Sequence, residues 1–389
     1  MSGLSMLINN TCPTGIECYS LGEIENMGLI SLGRGNVISK KEMQENPGNY
    51  PVYSSSVTGD GEIGRYGKYM FDDERITWSI DGGGKLFYRN GLKYSVTNVG
   101  GWIKVLDRKL STKFLYYVLI DQWTQKSFDY TKKAHPSVIR DEYIVPLPPI
   151  EVQNEIVRIL NNFTGLISEL TAELTARQKQ YGYYQDLLLA RDGKEYTLDE
   201  VCQIVDCPHT SPKWKETGVP VIRNYNLVNG IIDTSKLSYV DEQEYAARVK
   251  RIVPQENDIL FSREAPIGNV GIIPANFKCC QGQRVVLLRP NPQIVMPQFL
   301  IYVLQSEAVK EQINRVEKIG STVSNFNISD LKKLKFSIPP IEYQDEISKK
   351  IEVFSRICAD IFSGLPAEIA ARQKQYEYYR NKLLSFTER

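Results

Sequence analysis

Histidine is nearly missing from this chain: there are two in 389 residues, His135 and His209. A histidine-based triad or a multi-histidine metal centre therefore has little to draw on. No run of about 18 uncharged apolar residues exists to cross a bilayer, so no membrane role is expected. The opening stretch MSGLSMLINNTCPTG has no basic start, apolar block or small-residue cleavage site, which points to the cytoplasm. The seven cysteines are odd in number and scattered, and a disulfide framework is not expected. Cys202, Cys207 and His209 come nearest to a metal set, but zinc wants four ligands, usually in two short clips. These cysteines read instead as small buried hydrophobes, with no metal site. The formal net charge of +1 excludes no partner, because local basic patches can be balanced by acid elsewhere.

Catalytic motifs are absent as well. GEIGRYGKY (Gly61 to Tyr69) has the wrong spacing for a phosphate loop and an aromatic where Ser or Thr would hold magnesium. An amino-methyltransferase would carry Asn, Asp or Ser before Pro-Pro-aromatic, whereas here the proline pairs occur in LPPI and IPPI and read as helix starts. The glycines Gly82 to Gly84 read as a turn, and no acidic cluster with a nearby lysine suggests a nuclease. The chain is expected to catalyse nothing and to need no cofactor of its own.

What is present is a long internal repeat. ARQKQY occurs at Ala176 to Tyr181 and again at Ala371 to Tyr376. Upstream, PPIEVQNEI (Pro148 to Ile156) answers PPIEYQDEI (Pro339 to Ile347), and ARQKQYGYYQDLLL answers ARQKQYEYYRNKLL downstream. In the first copy an apolar seam runs Ile156, Leu160, Phe163, Ile167, Leu170, Leu174, then Arg177, Tyr181, Tyr184 and Leu188. Steps of three and four predict a helix using one seam, about 58 Å long from Glu151 to Leu189 at 1.5 Å per residue. The second seam, Ile347 to Leu383, carries four extra residues beside Gly364 and Pro366, which predicts a break or kink at Gly364 to Pro366. Shared polar words do not follow from amphipathicity. Gln153, Arg177, Gln178, Tyr181 and Tyr184, with Gln344, Arg372, Gln373, Tyr376 and Tyr379, are therefore candidates for helix pairing or subunit docking. Two helices of this kind bury their seams most readily against each other, antiparallel.

The segments between the helix blocks are strand-like, with short apolar runs punctuated by Gly, Asn, Asp and Pro. They match weakly: YSLGEI with YTLDEV, ITWSIDGGG with ILFSREAPIG, KFLYYVL with QFLIYVL. The framework repeats while the filling differs, as it would in a device that reads two different things with one geometry. Loop residues suited to phosphates and base edges are Arg65, Tyr66, Lys68, Lys85, Lys132, Lys133 and His135 in the first segment. In the second they are His209, Lys213, Trp214, Lys215, Arg223, Asn224, Asn226, Arg263 and Arg284.

These residues resemble a family, the specificity subunits of type I DNA restriction–modification systems. The resemblance rests on the helix entries PLPPIEVQNEI and SIPPIEYQDEI and on HTSPKW, GVPVIRNYNLVNGIID and NDILFSREAPIGNVGIIP between His209 and Pro274. It implies an α+β chain with two mixed α/β target-recognition domains, residues 1–147 and 191–338. Two long antiparallel coiled-coil helices, 148–190 and 339–389, would separate them. It further implies that each domain reads one half of a bipartite double-stranded DNA site. The helices would set the spacer and dock two methyltransferase subunits, which admit restriction/translocase subunits. S-adenosylmethionine, ATP and magnesium would belong to those partners. The competing expectation is a coiled-coil adaptor with two protein-binding heads and no DNA role.

Overall fold

The computed structural model describes residues 7, 11–12, 15–56, 59–129, 132–190, 193–264, 266–317 and 326–386, the side chain of Phe362 excepted. The chain divides into two units, Met1–Thr171 with Glu368–Arg389, and Ala172–Ala367.

In the first unit an antiparallel sheet has the order Ile30–Arg34, Gly100–Val105, Arg75–Ser79, Leu86–Arg89. All five residues of the strand RITWS (Arg75–Ser79) are buried, as befits a β-branched and aromatic stretch paired on both edges. A second sheet orders Glu62–Tyr66, Tyr50–Tyr53 and Ser95–Val96, the last pair parallel. The second unit repeats both. Cys202–Val205, Val285–Pro290, Ile259–Ser262 and Val270–Ile272 form one sheet, and Ser238–Val240, Val219–Ile222 and Cys280–Gln281 the other. Each unit also pairs its first strand with the strand leading into a helix block, Cys18–Ser20 with Ile144–Pro146 and Lys194–Thr197 with Lys335–Ile338. A reciprocal turn follows each first strand. Ser20 N–H donates to Glu23 Oε2 at 2.7 Å and Thr197 N–H to Glu200 Oε2 at 2.6 Å, the capping exchange that starts a short helix.

Register makes the repeat residue-specific. Ile76 lies opposite Ile103 and Ile103 opposite Leu32; Ile259 lies opposite Leu288 and Leu288 opposite Ile204. One pair shows how filling changes on a fixed frame. Trp78 faces Gly101, where an added Cβ would sit 2.1 Å from the indole, while the equivalent Phe261 faces Val286. A larger ring against no side chain is exchanged for a smaller ring against a branched one, the kind of volume-conserving swap that cores tolerate.

Ile150–Leu189 is one helix of 40 residues. Within the first unit its buried Ile156 and Leu160 share a core with Leu383 of the helix Leu365–Leu384, and Phe163 stacks on Tyr379 with centroids 5.3 Å apart. The rising order on one helix meets the falling order on the other, so the pair is antiparallel. Within the second unit Tyr181 stacks on Phe354 at 5.1 Å, and Leu188 and Leu189 pack with Ile347 and Ile351 of the helix Ile341–Ile357. That pair is antiparallel too. Each buried Leu or Ile contributes about 1.5–3 kcal/mol.

The second helix departs from regular α-helix just before and at the start of Gly364 to Pro366, the stretch where a break or kink is expected. A turn at Cys358 is followed by a π-helical turn, Asp360–Gly364, and α-helix resumes at Leu365. Four extra residues exceed one α-turn of about 3.6, and a wider i→i+5 turn absorbs the excess without a loop. Pro366 follows directly, at the start of the resumed helix, where its missing N–H and fixed φ are best tolerated.

The helix entries are fastened by glutamine. Gln153 is fully buried; its Nε2 donates to Pro148 O at 2.7 Å and Lys109 O at 2.8 Å, and its Oε1 accepts from Ser111 N at 2.8 Å. Gln344 repeats this with Pro339 O at 2.9 Å, Ile294 O at 2.9 Å and Met296 N at 2.7 Å. Both residues therefore tie a helix to its own unit, which corrects their assignment to helix pairing or docking: their amides are sealed from any partner surface. Gln344→Leu leaves three backbone groups without partners and is expected to lower stability by about 2–4 kcal/mol. Urea denaturation followed by tryptophan fluorescence and circular dichroism checks this; a loss below about 0.5 kcal/mol would refute the clamp.

Candidate nucleic-acid interface

Register also pairs the loops. Pro51, Val52 and Tyr53 occupy the strand positions of Pro220, Val221 and Ile222, with Val52 opposite Ser95 and Val221 opposite Cys280. The residues that leave these strands are then Ser54, Ser55 and Ser56 in the first unit and Arg223, Asn224 and Tyr225 in the second. At one place in a repeated frame, one unit carries three small hydroxyls where the other carries a cation, an amide and an aromatic.

In the second unit Arg223 is exposed and lies over two rings, 5.4 Å from the Trp214 centroid and 5.0 Å from that of Tyr225. Trp214 and Tyr225 are themselves 46% and 44% exposed, a polar–aromatic surface that can stack on bases and meet phosphates. Lys213 and Lys215 flank it, both exposed, and Lys215 pairs with Asp241 at 3.4 Å. Tyr225 is absent from the candidates drawn from sequence, although its place between Asn224 and Asn226 was a usable signal. His209 is exposed, 3.6 Å from Asp206. Arg284 is half-exposed, adopts a left-handed backbone (φ 63°) and pairs with Glu264 at 3.0 Å. Asn224 is half-buried, its Oδ1 accepting the Tyr225 N–H at 3.0 Å.

Two other candidates prove structural. Asn226 is 1% exposed: its Oδ1 accepts Arg223 N–H at 3.1 Å, and its Nδ2 donates to Asp233 O and Lys236 O, each at 3.0 Å. Arg263 is 6% exposed, with Nε donating to Phe326 O at 2.7 Å and Nη1 to Asp206 at 2.9 Å. Neither edge is left for a base; both hold the loops that carry the exposed residues.

In the first unit Arg65 is exposed, pairing with Glu62 at 3.1 Å and donating to Asn49 O. Tyr66 is another correction. It is buried and donates to Glu42 at 2.6 Å, and that carboxylate, with burial, pushes its phenol pKa up. Lys68 is exposed. Lys85 is half-buried, reaching Gly59 O at 3.3 Å. Lys132 pairs with Glu142 and Lys133 with Asp81. His135 caps the helix Pro136–Glu142 and lies 3.3 Å from Arg34, whose guanidinium also donates twice to Asn98 O. Arg34 was not singled out in the sequence, where it reads as an isolated charge in a glycine-flanked strand end.

On the helices, Arg177 and Arg372 bond carboxylates four residues earlier on their own helices, Glu173 and Glu368, so neither bridges a helix seam. Gln178 is exposed and Gln373 donates to Glu377 at 3.2 Å. The tyrosines do the pairing: Tyr181 and Tyr184 contact Phe354, Tyr379 contacts Phe163, and Tyr376 packs on the first core. Gln178 and Tyr181 also line a cavity of about 710 Å³ in the second unit, beside Tyr302 and Lys310.

Among the described residues no set of three or more His, Cys, Asp and Glu is placed to hold a metal, and no helix is long and apolar enough to cross a membrane. All seven cysteines are free. Burial pushes the thiol of Cys279 up to about 12 and that of Cys280 to about 11, so neither offers a nucleophile near neutral pH.

With this geometry in hand, the comparisons define the class. The family model described as the type I restriction modification DNA specificity domain matches residues 13–177 and again 191–371. The chain belongs to that family; it is a type I specificity subunit with two target-recognition domains, a non-catalytic component of such systems. A type I specificity subunit of Mycoplasma pneumoniae is 28% identical over 376 residues, 92% of this chain and 96% of the relative. The EcoR124I/EcoR124II specificity subunit of Escherichia coli is 29% identical over 299 residues, 72% of each chain. The crystal structure of a type I S subunit from M. genitalium shares the fold, with a TM-score of 0.52 at 15% identity over 95% of this chain and 96% of that one.

The division between exposed and buried candidates has a measurable consequence. Arg263→Met strands Phe326 O and removes the cation that pairs with the Asp206 carboxylate, and is expected to cost about 2–4 kcal/mol, whereas Lys213→Ala should stay within about 0.5 kcal/mol. Urea unfolding of both variants tests the assignment; comparable stabilities would contradict it.

Proposed function

We propose that this subunit reads a bipartite double-stranded DNA site, one half through residues 1–147 and the other through residues 191–338. The observation that carries this reading is the contrast at register-equivalent loops, Ser54–Ser55–Ser56 against Arg223–Asn224–Tyr225, on one repeated frame. Exposed Lys and Arg position each domain on phosphates, and a few loop side chains read base edges. The helical segments 148–190 and 339–389 set the spacer and dock two methyltransferase subunits. Through these the restriction/translocase subunits join. S-adenosylmethionine, ATP and magnesium serve those partners, and the assembly works in the cytoplasm. Modification of one adenine in each half-site requires the base to leave the stack, a step that falls to the methyltransferases.

The adaptor alternative, two protein-binding heads with no DNA role, predicts no salt-dependent DNA affinity. Replacing residues 191–338 with the corresponding domain of a relative, with both helices kept, is expected to change one half of the methylated motif. Methylome sequencing reads the result, and a change in both halves would defeat the modular model. Removing Gly364 to Ala367 deletes the last residue of the π turn and the start of the resumed helix. It is expected to alter the half-site separation or abolish assembly; the same motif, methylated as before, would show that this insertion does not set spacing.

A further inference from the structure

In the second unit Arg223 is held differently from several other basic side chains. Lys215, Arg263, Arg284, Lys278 and Arg289 all have carboxylate partners. Arg223 has none among the described residues; its guanidinium meets only the rings of Trp214 and Tyr225. Its stem runs over Gly282, where an added Cβ would meet Arg223 Cγ at 3.2 Å and Ile222 O at 2.7 Å. Its backbone N–H is held by buried Asn226, which also staples the following turn to Asp233 and Lys236. Backbone, stem and head are thus each fixed, while the residue stays exposed.

Contacts over aromatic rings engage the guanidinium face and leave its in-plane N–H edge open. That edge presents two parallel donors, matching the O6 and N7 acceptors that guanine alone displays together in the major groove. A phosphate contact would need only a charge, since phosphate contacts orient a protein without carrying sequence information. A purely orienting contact would also be expected at the same place in both copies of the frame. Here the equivalent of Arg223 is Ser54. The residue therefore belongs to the filling that differs between the units, where specificity resides.

We infer that Arg223 is a specificity-determining residue, its guanidinium preorganised by Trp214 and Tyr225 to read one guanine in the half-site assigned to residues 191–338. This rests on the DNA-reading function proposed above. Trp214 and Tyr225 act as positioning residues, and Asn226 as the support beneath them.

The test uses the full chain assembled with its methyltransferase subunits and a pool of randomised double-stranded sites, scored for binding and methylation. Arg223→Ala is expected to lose its preference for guanine at one position by about 5- to 150-fold. Arg223→Gln should shift that position toward adenine, whose N6 and N7 fit an amide, and the other half-site should be unchanged for both variants. The inference is overturned if Arg223→Ala weakens all sequences equally with every base preference intact, the mark of a phosphate contact. It is also overturned if binding and preference do not change. A wild-type assembly with no sequence preference removes the DNA-reading proposal itself, and the inference with it, so the two failures are told apart by the unmutated control.

Discussion

The arrangement depends on how each helix is fastened to a head, and that fastening is one buried amide used twice. A primary amide has two donors and an acceptor with two lone pairs. Gln153 and Gln344 spend both donors and the acceptor on three backbone groups, one at the helix entry and two in the loop that leads into an earlier helix of the same head. A leucine would fill the space but leave those groups unpaired in a dry site, and a glutamate would bring a charge with no cation to meet it. The preceding proline pair fixes the chain direction at the entry, and the amide then fixes the head against it. Direction and attachment are set within six residues, PPIEVQ and PPIEYQ, which is why these words survive almost intact between two otherwise divergent halves.

That divergence follows rules visible in the register. Where a position faces the core, changes are paired: Trp78 with Gly101 becomes Phe261 with Val286. Where the chain leaves the strand ends, the change is not matched by a cross-strand partner, as in Ser54 to Ser56 against Arg223 to Tyr225. Packing constrains the first kind because dense interiors register even small volume changes. Core packing does not dictate the second kind, so chemistry there can differ between the heads.

The helix repeat, its seams and the equivalence of the heads were legible in the sequence because they are periodic or literally repeated. The candidate surface was legible only in part, since residue type announces chemistry but not burial. Tyr66, Asn226 and Arg263 look like readers of DNA and sit among true surface residues, yet each spends its polar atoms on a neighbouring loop or helix. Arg177 and Arg372 stand at seam positions by spacing, but each pairs with a glutamate four residues back on its own helix. The four extra residues were legible, but whether a stutter is met by a loop, a kink or a wider turn was not, because that choice lies in backbone energetics rather than in composition.

The cores show why the helices cannot be treated as passive spacers. Leu383 completes a core whose other members lie between Leu21 and Leu160, and Tyr379 stacks on Phe163 across more than two hundred residues of chain. The first head is therefore unfinished until residues 368–386 arrive, while the second closes with Leu189, Ile347 and Ile351 from helix segments on either side of it. Contacts of such separation carry a loop-closure cost before they return any stability. A head can be exchanged without penalty only if its replacement keeps the entry glutamine and packs against the helix residues that complete its own core. The modularity proposed for this chain would lie in the loops that leave the strands, on heads that buried amides fasten to their helices.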